Sequence, residues 1–532
     1  MKFSALVALV SMVWLVGCHD LGRAPEKALV VSVEQQSSWV QRFNPLSPMA
    51  TPRWPSKGGI YETLMVFNSA QESWVGVLAT HYRWEENGTL LRVTLRENVK
   101  WSDGTSFGLD DVLFTFELMR THPGLDTGGV WKHLQSVSKI EEELVFKFKA
   151  VHAPLFDGIV QTPIVPKHIW ERVEDPVRYA DEKPVGTGPF TEVLRFDPMI
   201  YELGANPHYW EPGVPKVKRL RFPAYSSNDQ ATLALVKGEV DWAGNFVPAI
   251  DATYVRKQPS TRRYWFARTG TMVFLYLNQL QDLFKDLDVR RAISCSIDRD
   301  RLVDIAMFGY TRSAWQSPYS DGFAKWEKRK DQKISGCDAL VQKVAAKFES
   351  AKPLEILVVS GWSDWVRAAQ LVARDLAVLG LDAKVRTLEF GTWFGRVQNG
   401  DFDMSIGWSA EGSSPYQLMK GLMDPQLVLP PGEKSVQNWH RYGDEEAGRL
   451  LELLATTVDE AKSLEIVHQL EDRFYATLPS IPLFPNPSWA VFNESKYTGF
   501  PDPNRPYAGG SPNALPEASL VLRRLAPVEA QP

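Results

Sequence analysis

The spacing of apolar and polar residues along the chain predicts β-strands separated by helices. Residues 89–96 (TLLRVTLR) and 140–148 alternate apolar and polar side chains with a period of two, which is typical of strands with one buried face. Residues 29–33, 272–278 and 354–359 are short apolar runs that predict further strands. The pattern therefore indicates a protein with several strands distributed over its whole length.

Helical spacing of apolar residues occurs between these runs. Residues 112–119, 230–237 and 365–379 have this spacing, and Gly238 and Gly380 follow the second and third segments as C-terminal caps. Apolar runs that predict strands lie on both sides of the third helix, over 354–359 and 381–388. This strand–helix–strand order is typical of the α/β class, which is the fold class that we predict.

The N-terminus has the pattern of an export signal. Lys2 precedes an apolar run over residues 3–16, which is too short for a comfortable membrane-spanning helix, and Cys18 follows a small residue. This ending resembles the lipobox of bacterial lipoproteins, in which the signal is cut before the cysteine and the cysteine takes the lipid. We expect a signal peptide over 1–17 and a lipidated tether over 18–28. A plain signal peptide with an unrelated cysteine is the alternative. The folded part would lie outside the cytoplasmic membrane, anchored to a membrane in the cell envelope or periplasm.

Composition excludes some functions and raises one question. The 532 residues carry a net charge of −5, with 64 acidic and 59 basic residues, so the chain is not a strongly basic nucleic-acid binder and no nucleic-acid partner is expected. The 19 tryptophans outnumber the 16 tyrosines. Such a supply of flat apolar side chains suits a wide core, a groove that stacks flat ligands, or both.

Two cysteines remain after Cys18. An oxidising compartment would permit a disulfide between Cys295 and Cys337, and two buried thiols are the alternative. Sequence spacing does not decide between them, because it does not show how closely the two Cα atoms approach.

Searches for catalytic and cofactor motifs give no match. The sequence has no phosphate-binding G-x-x-x-x-G-K-[ST] loop, no H-E-x-x-H zinc motif and no cysteine–histidine cluster at zinc spacing. Residues 407–411 (GWSAE) lack the last glycine of a nucleophile elbow. We therefore expect neither a cofactor, nor a metal, nor enzymatic activity. An extracellular hydrolase that uses unrecognised carboxylates, and a structural or chaperone-like role in the envelope, remain alternatives.

An ordered set of motifs resembles the extracellular solute-binding proteins of the dipeptide and oligopeptide class, family 5, which are receptors of ABC importers. Residues 95–104 (LRENVKWSDG), continuing to 110–112, resemble the family signature LRxxVKxxDGxxxxxxDV, and residues 186–190 (GTGPF) and 206–210 (NPHYW) resemble two further motifs. Further matching segments are 60–64, 237–241, 288–293, 297–299, 400–403 and 481–483. The order of the motifs is more specific than any one of them.

The resemblance implies a two-lobe periplasmic-binding-protein fold of type II, cluster C, with an extra subdomain in lobe one. The ligand would lie between lobes that close around it, and ABC permease subunits would be the protein partners. We expect a monomer. The implied domains are lobe one over 29–59, 184–274 and 483–532 including the C-terminal tail, the subdomain over 60–183, and lobe two over 275–482.

The resemblance also suggests ligand-binding residues. In peptide-binding members an aspartate soon after a tryptophan pairs with the amino terminus of the peptide. Glu411 occupies the place of that aspartate after Trp408 in the matching stretch, with a side chain one methylene longer and therefore a different geometry. Cello-oligosaccharide receptors of the same class stack sugar rings on tryptophans, so an oligosaccharide is the alternative to an oligopeptide. The candidate stacking residues are Trp39, Trp54, Trp362, Trp393, Trp408 and Trp439. Asn438 could supply a hydrogen-bonding pair beside Trp439.

Overall fold

The structure is a computed structural model that describes residues 28–33, 35–47, 56–267, 270–349 and 352–528. The predicted signal peptide, Cys18 and most of the predicted tether lie outside the described residues, as does Trp54. No helix within the described ranges is long and apolar enough to cross a membrane.

Among the described residues the largest sheet has seven strands, and we call the part of the protein built on it lobe one. Its strands in spatial order are Arg262–Tyr264, Val491–Asn493, Trp242–Ala243, Leu29–Ser32, Arg219–Pro223, Ile200–Ala205 and Phe190–Asp197. The central strand Leu29–Ser32 is parallel to both of its neighbours, and its buried Leu29 and Val31 belong to the core of the lobe. The sheet thus joins three stretches that are far apart in the sequence.

A five-stranded mixed sheet forms the centre of what we call lobe two. Its strands in spatial order are Ala383–Leu388, Leu354–Val359, Met404–Trp408, Met272–Leu277 and Ile481–Pro485. The strand Leu354–Val359 is parallel to both neighbours, and helix Ser363–Leu376 connects it to Ala383–Leu388. This unit has the strand–helix–strand order that the apolar pattern predicts for residues 354–388.

The third unit is an antiparallel four-stranded sheet, which we call the subdomain. Its strands in spatial order are Ala79–Glu85, Leu90–Leu95, Glu143–Phe148 and Leu134–Ile140, and helix Leu109–Thr121 packs against it. The single strand predicted over 140–148 is wrong, because the chain reverses after Ile140 and Glu141 has a positive φ of 55°. This sheet lies within the predicted subdomain range of 60–183, whose boundaries stay a prediction.

The remaining elements connect and cover the three sheets. Two small antiparallel strand pairs are Met65–Asn68 with Ser73–Gly76 and Tyr497–Thr498 with Ala526–Pro527. The other helices are Leu155–Val160, Lys167–Trp170, Asn228–Lys237, Ile250–Thr253, Asp282–Lys285, Leu287–Ser296, Arg299–Ala306, Cys337–Glu349, Phe390–Asn399, Tyr416–Met423, Glu445–Thr456, Glu460–Thr477 and Ala518–Leu522. The predicted cap residues Gly238 and Gly380 both have positive φ, at 79° and 80°, as a left-handed C-cap requires.

The sequence motifs act mainly as scaffold. A Cβ atom at Gly186 would lie 1.9 Å from the backbone oxygen of Ile60, so only glycine fits this crossing of two chain segments. The amide of Gly188 donates a 2.9 Å hydrogen bond to the same oxygen. Asp111 accepts hydrogen bonds from the amides of Gly108 and Lys167, both at 3.0 Å, at the start of its helix. Gly186 and Gly188 therefore hold lobe one against the start of the subdomain, and Asp111 holds two segments inside the subdomain together.

A disulfide joins Cys295 to Cys337, with their Cα atoms 5.6 Å apart. It ties the end of helix Leu287–Ser296 to the start of helix Cys337–Glu349. Of the two possibilities left open by the sequence, the structure therefore has the cross-link.

Candidate ligand-binding site

A cavity of about 370 Å³ lies between lobe one and lobe two. Lobe one supplies Asn228 and Phe246 to its wall, and lobe two supplies Trp362, Trp408 and Glu411. The strand Met404–Trp408 ends at this wall. The position between two lobes agrees with the cleft that the sequence resemblance implies.

The lobes also contact each other beside this cavity. The amide of Asn228 in lobe one donates a 2.9 Å hydrogen bond to the backbone oxygen of Gly361 in lobe two. Elsewhere on the boundary, the amide of Ile250 donates to the hydroxyl of Tyr310, which donates in turn to the backbone oxygen of Val247. The two lobes are therefore in direct contact beside the cavity.

The structure brings four of the predicted tryptophans together. The ring centroids of Trp362 and Trp408, which line the cavity, are 6.0 Å apart. Trp393 and Trp439 lie 5.4 and 5.3 Å from Trp408 and are buried in the core of lobe two behind it. The indole N–H of Trp393 donates a 3.0 Å hydrogen bond to the hydroxyl of Ser405. Two tryptophans thus face the cavity while two support them.

Two other predicted contact residues lie away from the cavity. Trp39 is buried in the core of lobe one, where its ring packs edge-on against Tyr201 at 5.2 Å. Asn438 is buried in a tight turn with a φ of 51°, and its side chain bonds the backbone of Asp424 and Tyr442. Neither residue lines this cavity, and each has a structural role of its own.

Glu411 is the predicted acid, and its side chain lies at the cavity wall. Part of the residue surface is exposed, but many protein atoms surround its carboxyl group. Loss of hydration is the main cause that raises the pKa of this carboxyl to about 6; the nearby charge of Glu517 acts in the same direction, and a hydrogen bond from the backbone of Gly270 acts against both. A cation at this position would replace the missing hydration.

Asp364 and Glu517 also line the cavity, and sequence analysis did not select them. Burial raises the pKa of Asp364 to about 6, although Nδ2 of Asn228 donates to it. Burial also raises the pKa of Glu517, which accepts hydrogen bonds from the amide and hydroxyl of Ser69 and the amide of Gly509. Glu517 lies near the C-terminal end of the chain and in none of the sequence motifs, so only its place in the fold identifies it.

The cavity is rich in hydrogen-bond acceptors. The side-chain oxygens of Asn245 and Asn513 are buried without a hydrogen-bond partner among the described residues. None of the lysines, arginines and histidines that the structure describes lines the cavity. Carboxylates and amide oxygens accept hydrogen bonds, so the wall suits a ligand that carries N–H or O–H donors and a positive charge.

The described ranges contain no group of three or more histidine, cysteine, aspartate or glutamate side chains that could hold a metal ion. The cavity's chemistry is therefore best described by its acids, amides and indoles.

Comparisons with known proteins give a consistent result. Residues 73–426 match the family described as bacterial extracellular solute-binding proteins, family 5. The oligopeptide-binding protein AppA of Bacillus subtilis is 25% identical over 62% of this chain and 65% of its own length. Di/tripeptide-binding protein 1 of Pseudomonas aeruginosa is 23% identical over 76% of this chain and 79% of its own length.

Solved structures resemble the whole fold. A Thermotoga maritima periplasmic oligopeptide-binding protein with bound mannohexaose has a TM-score of 0.86 at 23% identity, covering 95% of this chain and 99% of that one. Bacillus subtilis AppA in complex with a nonapeptide has a TM-score of 0.79 at 20% identity, covering 94% and 99%. These likenesses confirm the predicted fold, a type II, cluster C periplasmic-binding-protein fold with two α/β lobes and a subdomain.

Proposed function

The chain belongs to the bacterial extracellular solute-binding proteins of family 5, and we propose that it captures oligopeptides between its lobes for an ABC importer. The relatives that it matches are binding proteins of peptide transporters. The single observation that carries the peptide assignment is Glu411, a carboxylate that faces the cavity between the lobes. The proposed role is binding and delivery to the permease, without chemical turnover.

The chemistry of the wall supports a free amino terminus as the group that Glu411 binds. An ammonium group donates hydrogen bonds and carries a charge, and a charge-assisted bond in a closed cavity is stronger than one between neutral groups. The unpartnered oxygens of Asn245 and Asn513 add acceptors for backbone or side-chain N–H groups. The acid follows the end of strand Met404–Trp408, so the lobe-two sheet fixes its position.

We further propose that the protein works as a monomeric lipoprotein of the cell envelope, anchored through a lipid on Cys18. The apolar run before this cysteine and the family's extracellular location support the anchor. Replacing Cys18 with serine should move the protein from the membrane fraction to the soluble periplasmic fraction. Retention in the membrane fraction would contradict the anchor.

An oligosaccharide is the second candidate ligand. The observation that favours it is the pair Trp362 and Trp408, whose indole rings line the cavity together with Trp489. Flat indole faces stack on apolar faces of sugar rings, and the mannohexaose complex shows that one protein of this fold binds a sugar.

Calorimetric titration decides between the two ligand classes. We expect a panel of free-amine di- to hexapeptides to include tight binders, and cello- and manno-oligosaccharides to bind weakly or not at all. Tight binding of an oligosaccharide with no binding of any peptide would contradict the peptide assignment. Turnover of either substrate class by the purified protein would contradict the binding role.

A further inference from the structure

A second cavity, of about 540 Å³, lies between the subdomain and lobe two. The subdomain supplies the aromatic rings of Trp74, Trp84 and Phe156, with the ring centroids of Trp74 and Phe156 5.2 Å apart. Lobe two supplies Tyr416 and Leu454 from the opposite side. The wall of this cavity is therefore mostly apolar, in contrast to the acidic cavity that contains Glu411.

One loop lines both cavities. The chain between strand Met404–Trp408 and helix Tyr416–Met423 places Glu411 at the first cavity and Ser413 and Ser414 at the second. Two residues of chain span at most about 7 Å. The backbone positions of Glu411 and Ser413 are thus at most about 7 Å apart, a distance that two residues of an extended peptide cover.

Contacts across the boundary hold the second cavity in place. The carboxylate of Asp157 in the subdomain accepts hydrogen bonds of 2.9 and 2.8 Å from the amide and hydroxyl of Ser413. The amide of Ala153 donates a 2.8 Å hydrogen bond to the backbone oxygen of Ala455. The cavity is therefore completed by two separate parts of the fold and should open when those parts separate.

Polar side chains also line this cavity, among them Asn87, Thr457 and Ser463. Trp326 lines it, and the indole N–H of this residue is buried without a hydrogen-bond partner among the described residues. Asp157 and Glu460 are the charged side chains of the wall within the described ranges. An apolar group next to one carbonyl acceptor matches this lining, whereas an acidic group would lie beside two carboxylates.

We propose that the second cavity holds an apolar side chain of the same peptide whose amino terminus lies at Glu411. This inference rests on the proposed function and narrows its substrate class. An extended peptide advances about 3.3 Å per residue, so the side chain belongs to one of residues two to four. The ligand is therefore a free-amine peptide with a leucine-like or aromatic residue near its amino terminus.

The test compares tetra-alanine with three tetrapeptides that carry a single leucine at position two, three or four, by calorimetry on the full mature protein. Burying the added side chain should improve affinity by about tenfold or more at one of these positions. An aspartate at that same position should weaken binding, because it would enter a cavity that contains Asp157 and Glu460. If tetra-alanine binds but leucine improves affinity at none of the three positions, the proposed role of the second cavity is wrong, while the proposed function is unaffected.

Two variants test whether the affinity gained from leucine comes from the second cavity. Val458 is 69% exposed, so Val458→Lys changes the cavity wall at little cost to folding. Trp84→Ala removes a ring that also packs against Phe148 and Phe156, so its affinities are measured at a temperature at which its unfolding curve shows the folded state. Each should bring the affinity ratio of the leucine peptide to tetra-alanine close to one. Val378→Lys is the matched control, since Val378 is 82% exposed and outside both cavity walls, and it should keep the full ratio.

Two results would overturn the inference. An unchanged leucine gain in both cavity variants would place the leucine elsewhere. Failure of every free-amine peptide to bind the native protein would overturn the proposed function and this inference together.

Discussion

Nδ2 of Asn228 in lobe one donates a hydrogen bond of 3.1 Å to Oδ1 of Asp364 in lobe two, across the boundary that a ligand must open. Asp364 is buried at the cavity wall, and no described cation forms an ion pair with it. The contact thus joins the lobes at a carboxyl whose ionisation is costly. Its effect on stability depends on pH.

We expect Asp364→Asn to stabilise the protein at pH 8 and not at pH 4. Burial raises the pKa from 3.8 to about 6, so between these values the folded state binds more protons than the unfolded state. The free energy of unfolding contributed by this group therefore falls as pH rises through the window, by up to about 3 kcal/mol. Urea unfolding at both pH values measures the difference, and an equal effect at both would contradict the prediction.

Glu411→Gln should weaken binding of free-amine peptides by about 10- to 100-fold, because a charge-assisted hydrogen bond becomes a neutral one. N-acetylated peptides should lose far less, since they carry no charge at that end. Calorimetry with matched peptide pairs provides the measurement. Glu465→Gln, at an exposed position outside the cavity, is the control and should change neither affinity. Equal losses for both peptides would show that Glu411 does not bind the amine.

Binding of free-amine peptides should weaken as the solution becomes more acidic. The pKa of Glu411 is about 6 in the unliganded cavity, so below this value the carboxyl is increasingly protonated and no longer attracts an ammonium group. We expect little change between pH 8 and 7, and a decline toward about tenfold per pH unit below the pKa. The Glu411→Gln variant should lack this decline, and a decline of the same size in that variant would assign it to another group.

Two glycine substitutions should have opposite effects on stability. Gly186→Ala would force a Cβ atom against the backbone oxygen of Ile60, so we expect a loss of about 3 kcal/mol or more, or failure to fold. Gly395→Ala lies inside helix Phe390–Asn399 with nothing within 4 Å of the added atom, and should gain about 0.5–1 kcal/mol. Thermal and chemical unfolding measure both. A well-folded Gly186→Ala protein of unchanged stability would contradict the crossing described here.

Local pattern is enough to predict much of lobe two. The run 354–359 is a buried strand, the helix predicted over 365–379 is present as Ser363–Leu376, and the strand predicted over 381–388 is present as Ala383–Leu388. These elements depend on neighbouring residues and on glycine caps, which sequence spacing shows directly. The single strand predicted over 140–148 is wrong for the opposite reason, since no glycine or proline marks the turn between Leu134–Ile140 and Glu143–Phe148.

The site is harder to predict because long-range contacts create it. Trp362, Trp408 and Glu411 are the ligand-binding residues predicted from the sequence that do line the cavity, and each follows or ends a strand of one sheet. Glu517 cannot be predicted in this way, because it reaches the cavity from the far end of the chain. Trp39 and Trp362 both follow a strand, but Trp39 is buried in the core of lobe one and Trp362 lines the cavity. Sequence spacing alone does not distinguish a core position from a cavity position.

The connectivity of the largest sheet imposes an order on biosynthesis. The strand Val491–Asn493 lies between Arg262–Tyr264 and Trp242–Ala243, so that sheet stays incomplete until almost the whole polypeptide has been made. The sheet of lobe two needs only residues up to Pro485. A nascent chain that stalls before residue 491 would therefore present one finished lobe and one with a gap in its sheet. Such an intermediate would expose unpaired strand edges, and it is the species that we expect envelope chaperones to protect.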